Sequence, residues 1–241
     1  MLSAIEKERL ERIAKRLRYH VVKMIGVGVS GHIGGSCSAA DLVTAIYFYK
    51  MRYDKPDFSW EDRDKFIMSK GHAVPVQYAA LAELGIISEN EFDTFKKLGS
   101  SLQGHPDCKK TPGIEANTGS LGQGLSIACG MALAMKLDKK TSRVYVMLGD
   151  GEVAEGQIWE AAMAADNFHL DNLTAILDMN GLSSTGYIEK RFKMSRMKEK
   201  WEAFGWHAIE LDGHDMEQIC NALDEAESTK DKPTILLAKT V

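Results

Sequence analysis

The chain has 241 residues, of which 44% are hydrophobic and 27% charged, enough apolar material for one large buried core and too much for a disordered chain or a small disulfide scaffold. Lysine and arginine number 30 against 34 aspartates and glutamates, a net charge of -4, whereas a nucleic-acid-binding domain is ordinarily basic. Ser3-Ala4-Ile5-Glu6 opens the chain with a serine and, three residues on, a carboxylate. In that pattern each side chain satisfies an orphan backbone donor of the other, and it predicts a first helix over about 3–24. Ser38 to Asp41 is a similar start, predicting a helix over 38–50, and Ser88-Glu89-Asn90-Glu91 predicts another over 89–98. The remaining helical patterns cover 75–84, 122–138, 156–168, 195–204 and 215–229, with Gly85 and Gly99 placed to close two helices in the left-handed cap position. Between them stand short apolar runs rich in β-branched residues: Lys65–Met68, Val144–Leu148, Leu173–Leu177, His207–Leu211 and Thr234–Ala238.

This alternation predicts an α/β fold, a mostly parallel sheet with helices on both faces. With no repeat, no low-complexity tract and only five prolines, residues 1–241 read as a single domain. The four cysteines, Cys37, Cys108, Cys129 and Cys220, form no CxxC pair, which disfavours both a structural zinc site and a disulfide framework and suits a reducing cytoplasm. No apolar run approaches the roughly 18 residues of a membrane span. The basic N-terminus is interleaved with Glu6, Glu8 and Glu11, unlike a transit peptide. Neither nucleic acid nor membrane is therefore an expected partner.

Chemistry is carried by Gly149-Asp150-Gly151 and by Asn180, each just beyond a predicted strand, where open parallel sheets place their ligand crevices. Magnesium takes oxygen ligands and only one or two protein carboxylates, the rest coming from phosphate and water, a demand that Asp150 and the Asn180 side-chain oxygen would meet. Gly149 and Gly151 let the backbone approach a diphosphate, and the helix that follows offers N–H groups to the anion. A second signal is Gly-His at 31–32, 71–72, 104–105 and 213–214, four of the seven histidines. Neutral imidazoles in loops can hold sugar hydroxyls and move protons between them.

The run Gly149-Asp150-Gly151, with Asn180 thirty residues after Asp150, resembles the motif of thiamine diphosphate enzymes. Ser30-Gly31-His32-Ile33-Gly34-Gly35, Ser69-Lys70-Gly71-His72, Gly104-His105-Pro106-Asp107, Thr118 to Gly124, Glu155-Gly156, Gly205-Trp206-His207 and Asp212 to Asp215 resemble, in order, the N-terminal half of transketolase. The resemblance extends from about residue 10 to Val241. It departs at Ser120, where larger transketolases have proline, and at Ile33, where proline usually follows the histidine.

The resemblance implies that Asp150 and Asn180 bind Mg2+ (or Ca2+ or Mn2+) through their side chains and Leu182 through its carbonyl. It implies that His72, Gly119, Leu121, Gly151, Glu155 and Asn180 contact thiamine diphosphate. His32, His72 and His105 would face the reactive carbon and the donor ketose, and Glu155 would join a hydrogen-bond network between paired sites. His20, His169, His207 and His214 take structural roles. The implied reaction, part of pentose phosphate metabolism, moves a two-carbon ketol unit between sugar phosphates.

The family's pyrimidine-binding domain supplies a glutamate, an aromatic pocket and most phosphate-binding arginines, and it is expected on a separate C-terminal subunit, the two kinds of chain forming a heterotetramer. The Gly119–Gly130 stretch is the candidate self-contact. Three other readings stay open on the sequence: a transketolase-like enzyme for another sugar, a 2-oxo acid dehydrogenase alpha chain or deoxyxylulose phosphate synthase, and a chain that binds without catalysing. No strand precedes Gly119, Gly122 and Gly124, which disfavours a dinucleotide-binding fold.

Overall fold

The computed structural model describes residues 2–26, 29–53, 60–183 and 186–241. Helix α1 (Ala4–Ile25) is capped by Ser3, whose hydroxyl accepts the Glu6 N–H at 3.2 Å. Helices α2 (Ile33–Ser38) and α3 (Ala40–Ala45) follow, and α3 runs into a π turn over Ile46–Lys50. After β1 (Lys65–Met68) and a 3-10 turn at Gly71–Ala73 comes α4 (Val74–Glu83), which carries Pro75 in its first turn, where the missing N–H is harmless. The second half alternates α5 (Gln123–Leu137), β2 (Val144–Gly149), α6 (Gly156–Asn167) and β3 (Leu173–Met179). A short antiparallel pair, β4 (Leu182–Ser183) with β5 (Gly186–Tyr187), leads to α7 (Met197–Ala203), β6 (His207–Asp212), α8 (Met216–Ser228) and β7 (Thr234–Lys239).

The five long strands pair in the order β1-β2-β3-β7-β6, all parallel. Successive side chains point to opposite faces, so neighbouring residues of one strand enter different cores. On one face Phe66, Met68, Tyr145, Met147 and Ile176 pack with buried residues of α1, α3, α4 and α8, among them Leu17, Leu42, Val76 and Ile219. On the other, Ile67, Val146, Leu148, Ala175 and Leu177 meet Leu125, Ala128, Ile158 and Ala162 of α5 and α6. There Trp201 packs tilted against Trp159 and edge-to-face against Trp206, at ring-centroid distances of 5.1 and 5.0 Å. Sandwiching the sheet explains why β2, β3 and β7 read as continuous apolar runs, whereas the edge strand β6 alternates and exposes Glu210 and Asp212. Among the described residues no helix is long and apolar enough to cross a membrane.

Two expected helices differ from the sequence reading. The helix expected over 38–50 begins at Ile33, breaks at Ala39 and ends as the π turn; Ser38 caps nothing because its hydroxyl is committed to the Asp178 carboxylate at 2.6 Å. The helix expected over 89–98 is a six-residue 3-10 turn, Glu89–Thr94. Its capping box at Ser88 is present, but Phe95 takes extended backbone (φ -48°, ψ 126°) and is buried with Phe92, so the turn ends where core burial requires it. Gly85 ends α4 with φ +75°, whereas Gly99, with φ +82°, follows no helix.

Candidate functional site

Parallel pairing brings every strand of the main sheet to the same edge at its carboxyl end. Gly149 lies opposite Asp178 and Met179 opposite Lys239, so the residues just beyond β1, β2, β3 and β7 converge. They border a cleft of about 840 Å³. The ten residues the sequence singled out all line it: His32, His72 and His105; Gly119 and Leu121; Asp150 and Gly151; Glu155; Asn180 and Leu182.

At the β2–β3 end, Asp150 is 4% exposed. Its Oδ1 accepts the Gly151 N–H and its Oδ2 the Gly181 N–H, both at 2.7 Å. Burial raises the Asp150 pKa, and the two N–H donors partly offset that rise. Among the described residues no side-chain cation pairs with this buried carboxylate, and a buried charge is stable only when compensated. Asn180 Oδ1 accepts the Leu182 N–H at 2.9 Å, and its Nδ2 donates to Ser38 Oγ at 3.2 Å. A carboxylate, a side-chain carbonyl and a main-chain carbonyl make a set of hard oxygen donors, which fits Mg2+, Ca2+ or Mn2+ better than a soft metal. The helix expected to receive an anion directly after Gly151 is set back by a 3-10 turn at Glu152–Ala154 and led by Glu155 as N-cap.

Beneath this end lies a polar layer that the sequence reading missed. Lys70 and Asp178, 2% and 0% exposed, form a buried ion pair. Lys70 Nζ also donates to Gly35 O at 2.8 Å, and the Asp178 carboxylate accepts from the Ser38 and Thr240 hydroxyls. One carboxylate thus ties together the ends of α2, β1, β3 and β7. Glu152, 2% exposed, joins a different trio: its Oε1 accepts from Ser69 Oγ at 2.5 Å and the Gly122 N–H at 2.8 Å, and its Oε2 accepts the Gly149 N–H at 3.1 Å. Burial pushes this carboxyl up while the three donors pull it down. The available signal was an acid or base ending an otherwise apolar strand, as in Leu173–Met179, where a buried charge demands a partner.

The histidine end is built from loops. His72 sits on the 3-10 turn after β1, and burial first, then the nearby Lys70 charge, pull its pKa down to about 4. The His32 ring, at the N-cap of α2, lies with its centroid 4.8 Å from that of His72. Burial, Lys96 and His32 lower the His105 pKa. A Cβ at Gly119 would stand 2.9 Å from His105 Cδ2, and Gly119 has φ +143°, so only glycine allows this approach. At neutral pH His72 is therefore an uncharged imidazole, able to accept or donate a proton. The other four histidines have structural partners. His20 meets Glu83 at 2.8 Å, His207 meets Glu225 at 2.7 Å, and His169 Nδ1 faces Asp231 O at 3.2 Å. His214 links Asp41, at 2.8 Å, to the Val241 N–H, at 3.1 Å. Glu155 is exposed beside Gly122, where a Cβ would come within 2.9 Å of the Glu155 Cβ.

A family model described as "Transketolase, thiamine diphosphate binding domain" matches residues 10–241. The chain is 43% identical over 238 residues to a subunit of the apulose-4-phosphate transketolase of Phocaeicola vulgatus, covering 98% of this chain and 84% of that protein. It is 42% identical over 240 residues to transketolase-like protein 2 of Bos taurus, covering 99% of this chain but 38% of that one. The solved transketolase from Leishmania mexicana superposes with a TM-score of 0.89 at 33% identity, over 96% of this chain and 36% of that structure's chain. The chain thus spans well under half the length of the last two.

Proposed function

The chain belongs to the transketolase family, and on that premise we propose that its cleft binds thiamine diphosphate with a divalent metal and, together with a second subunit, transfers a two-carbon ketol unit from a ketose phosphate to an aldose phosphate. The observation that carries this reading is the convergence on one cleft of a buried carboxylate without a cationic partner among the described residues, an oxygen-bearing amide and three histidines. When bound, thiamine diphosphate supplies the nucleophilic carbon and the electron sink for breaking the bond beside a ketose carbonyl.

The chain's own residues bind and orient. Asp150 and Asn180 hold the metal through side-chain oxygens and Leu182 through its carbonyl, while Gly151, Gly119, Leu121 and Asn180 contact the cofactor. Lys70 and Asp178 fix the strand ends under it, and Glu152 fixes the turn that carries Asp150. His72 also contacts the cofactor, and His32, His72 and His105 hold substrate hydroxyls and move their protons. A neutral imidazole suits that task because it presents one nitrogen as donor and the other as acceptor. Glu155, exposed at the head of α6, is positioned to reach beyond this chain toward a paired site.

Residues 1–241 act as one diphosphate-binding domain, with the pyrimidine-binding and C-terminal domains on a partner chain. Support comes from the Phocaeicola vulgatus relative, itself named as one subunit of an enzyme, of which this chain covers 84%. Self-association into a heterotetramer is favoured by α5 and the end of α6, which leave Leu137, Met163 and Phe168 exposed. Four free cysteines favour a reducing cytoplasm, and a reaction on ketose and aldose phosphates would belong to pentose phosphate metabolism. A second reading, a related enzyme for another sugar, is favoured by that same relative's naming for apulose-4-phosphate. Ketol-transfer assays across a panel of ketoses, with and without 4- or 5-phosphate groups, decide between them. Preference for xylulose 5-phosphate supports the first reading, and preference for a branched or sulfonated ketose supports the second.

A further inference from the structure

We propose that Arg191 supplies the positive charge, besides the metal, that receives the diphosphate group of the cofactor. The inference rests on the reading of the cleft as a thiamine diphosphate site. A diphosphate ester carries more negative charge than one divalent ion neutralises once the Asp150 carboxylate is counted, so the cleft needs a further cation. Among the described residues its lining offers two, Lys70 and Arg191. Lys70 is committed to Asp178, and His72 is held neutral at physiological pH by burial and by Lys70 itself. That leaves Arg191, whose guanidinium makes no hydrogen bond or ion pair among the described residues while it borders the cleft.

The backbone places Arg191 at the Asp150 end and not at the histidine end. Ile188, 2% exposed, donates its N–H to Gly181 O at 2.9 Å, and the N–H of that same Gly181 holds Asp150 Oδ2. The Ile188 Cδ1 lies 3.7 Å from where a Cβ on Gly151 would stand, so this turn packs directly on the Gly-Asp-Gly loop. The Arg191 N–H donates to Ile188 O at 2.8 Å, which sets the guanidinium one turn from that anchor. A planar guanidinium pairs two donors with two phosphate oxygens, a geometry that lysine cannot reproduce. The surrounding run from Glu189 to Lys200 carries six cations against two acids in a chain of net charge -4, a local field that draws anions to this rim.

The test is cofactor affinity in the assembled protein, read by calorimetric titration with thiamine diphosphate and, separately, with inorganic pyrophosphate, both in the presence of Mg2+. Arg191→Gln is expected to weaken both ligands about tenfold, the size of one charge-assisted phosphate contact, and Arg191→Lys to recover part of the loss. Arg191→Gln that binds both ligands as the unmodified protein does overturns the proposal. If that variant instead raises KM for a ketose phosphate, the guanidinium belongs to the substrate phosphate, and the proposal is equally overturned. Asp150→Asn separates the two levels of the argument. Lost binding in Asp150→Asn with undiminished binding in Arg191→Gln removes Arg191 alone. Undiminished binding in Asp150→Asn, or none in the unmodified protein, removes the reading of the cleft and this proposal with it.

Discussion

At one end of the cleft, Asp150 and Asn180 stand at the ends of adjacent parallel strands, with both Asp150 oxygens on backbone N–H groups and a buried ion pair beneath. At the other end, His32 and His105 are exposed on loops, and the rings of His32, His72 and His105 make no hydrogen bond among the described residues. The first end is preorganised for fixed charge, because strands within a packed sheet cannot shift to find a partner. The second keeps open donors and acceptors, the arrangement a proton-handling surface needs before a substrate or a second chain arrives.

If this contrast is right, Asp150→Asn abolishes metal-dependent cofactor binding without unfolding the chain, as titration beside circular dichroism would record. Lys70→Met should act on the framework, leaving Asp178 buried with hydroxyl donors but no counter-charge and lowering unfolding stability by about 3–5 kcal/mol in denaturant titrations. His72→Gln should do the reverse, reducing turnover about a hundredfold while cofactor still binds. An equal loss of stability in the Lys70 and His72 variants would dissolve the distinction between the two ends.

Acid should sharpen the same contrast. Because the folded state holds His72 near 4, against an ordinary histidine value near 6.5, the unfolded chain binds more protons between those limits. The stability that depends on neutral His72 is therefore fully present above about pH 6.5 and lost as the pH falls toward about 4. Unfolding midpoints measured from pH 7 to pH 4.5 should fall less steeply in His72→Gln than in the unmodified protein. The smallest effect is expected at Glu155, exposed and without a side-chain hydrogen bond among the described residues. Glu155→Gln should change stability by no more than about 0.5 kcal/mol and show itself only in the activity of the assembled enzyme.

The sheet was legible in the sequence because most of its long strands are apolar runs bounded by turn residues, β6 being the alternating exception at the edge, and strand-end positions then located Asp150 and Asn180. The three cleft histidines were legible through the glycine before each of them, Gly31, Gly71 and Gly104. What escaped was long-range pairing. Ser38 looks like a helix cap by local pattern, yet its hydroxyl serves Asp178, 140 residues away. A charge within an apolar strand, as at Asp178, announces that a partner is needed, but nothing within a few residues of Lys70, Asp178 or Glu152 identifies the partners that only the folded sheet edge brings together. The β4–β5 pair escaped for another reason, since two-residue strands carry no periodicity to detect.

The most direct test is ketol transfer by this chain mixed with a partner chain carrying the pyrimidine-binding domain, in thiamine diphosphate and Mg2+. Activity that requires both chains, the cofactor and the metal, and that disappears in Asp150→Asn, is the predicted result. Activity of this chain alone, or undiminished activity in Asp150→Asn, would contradict it.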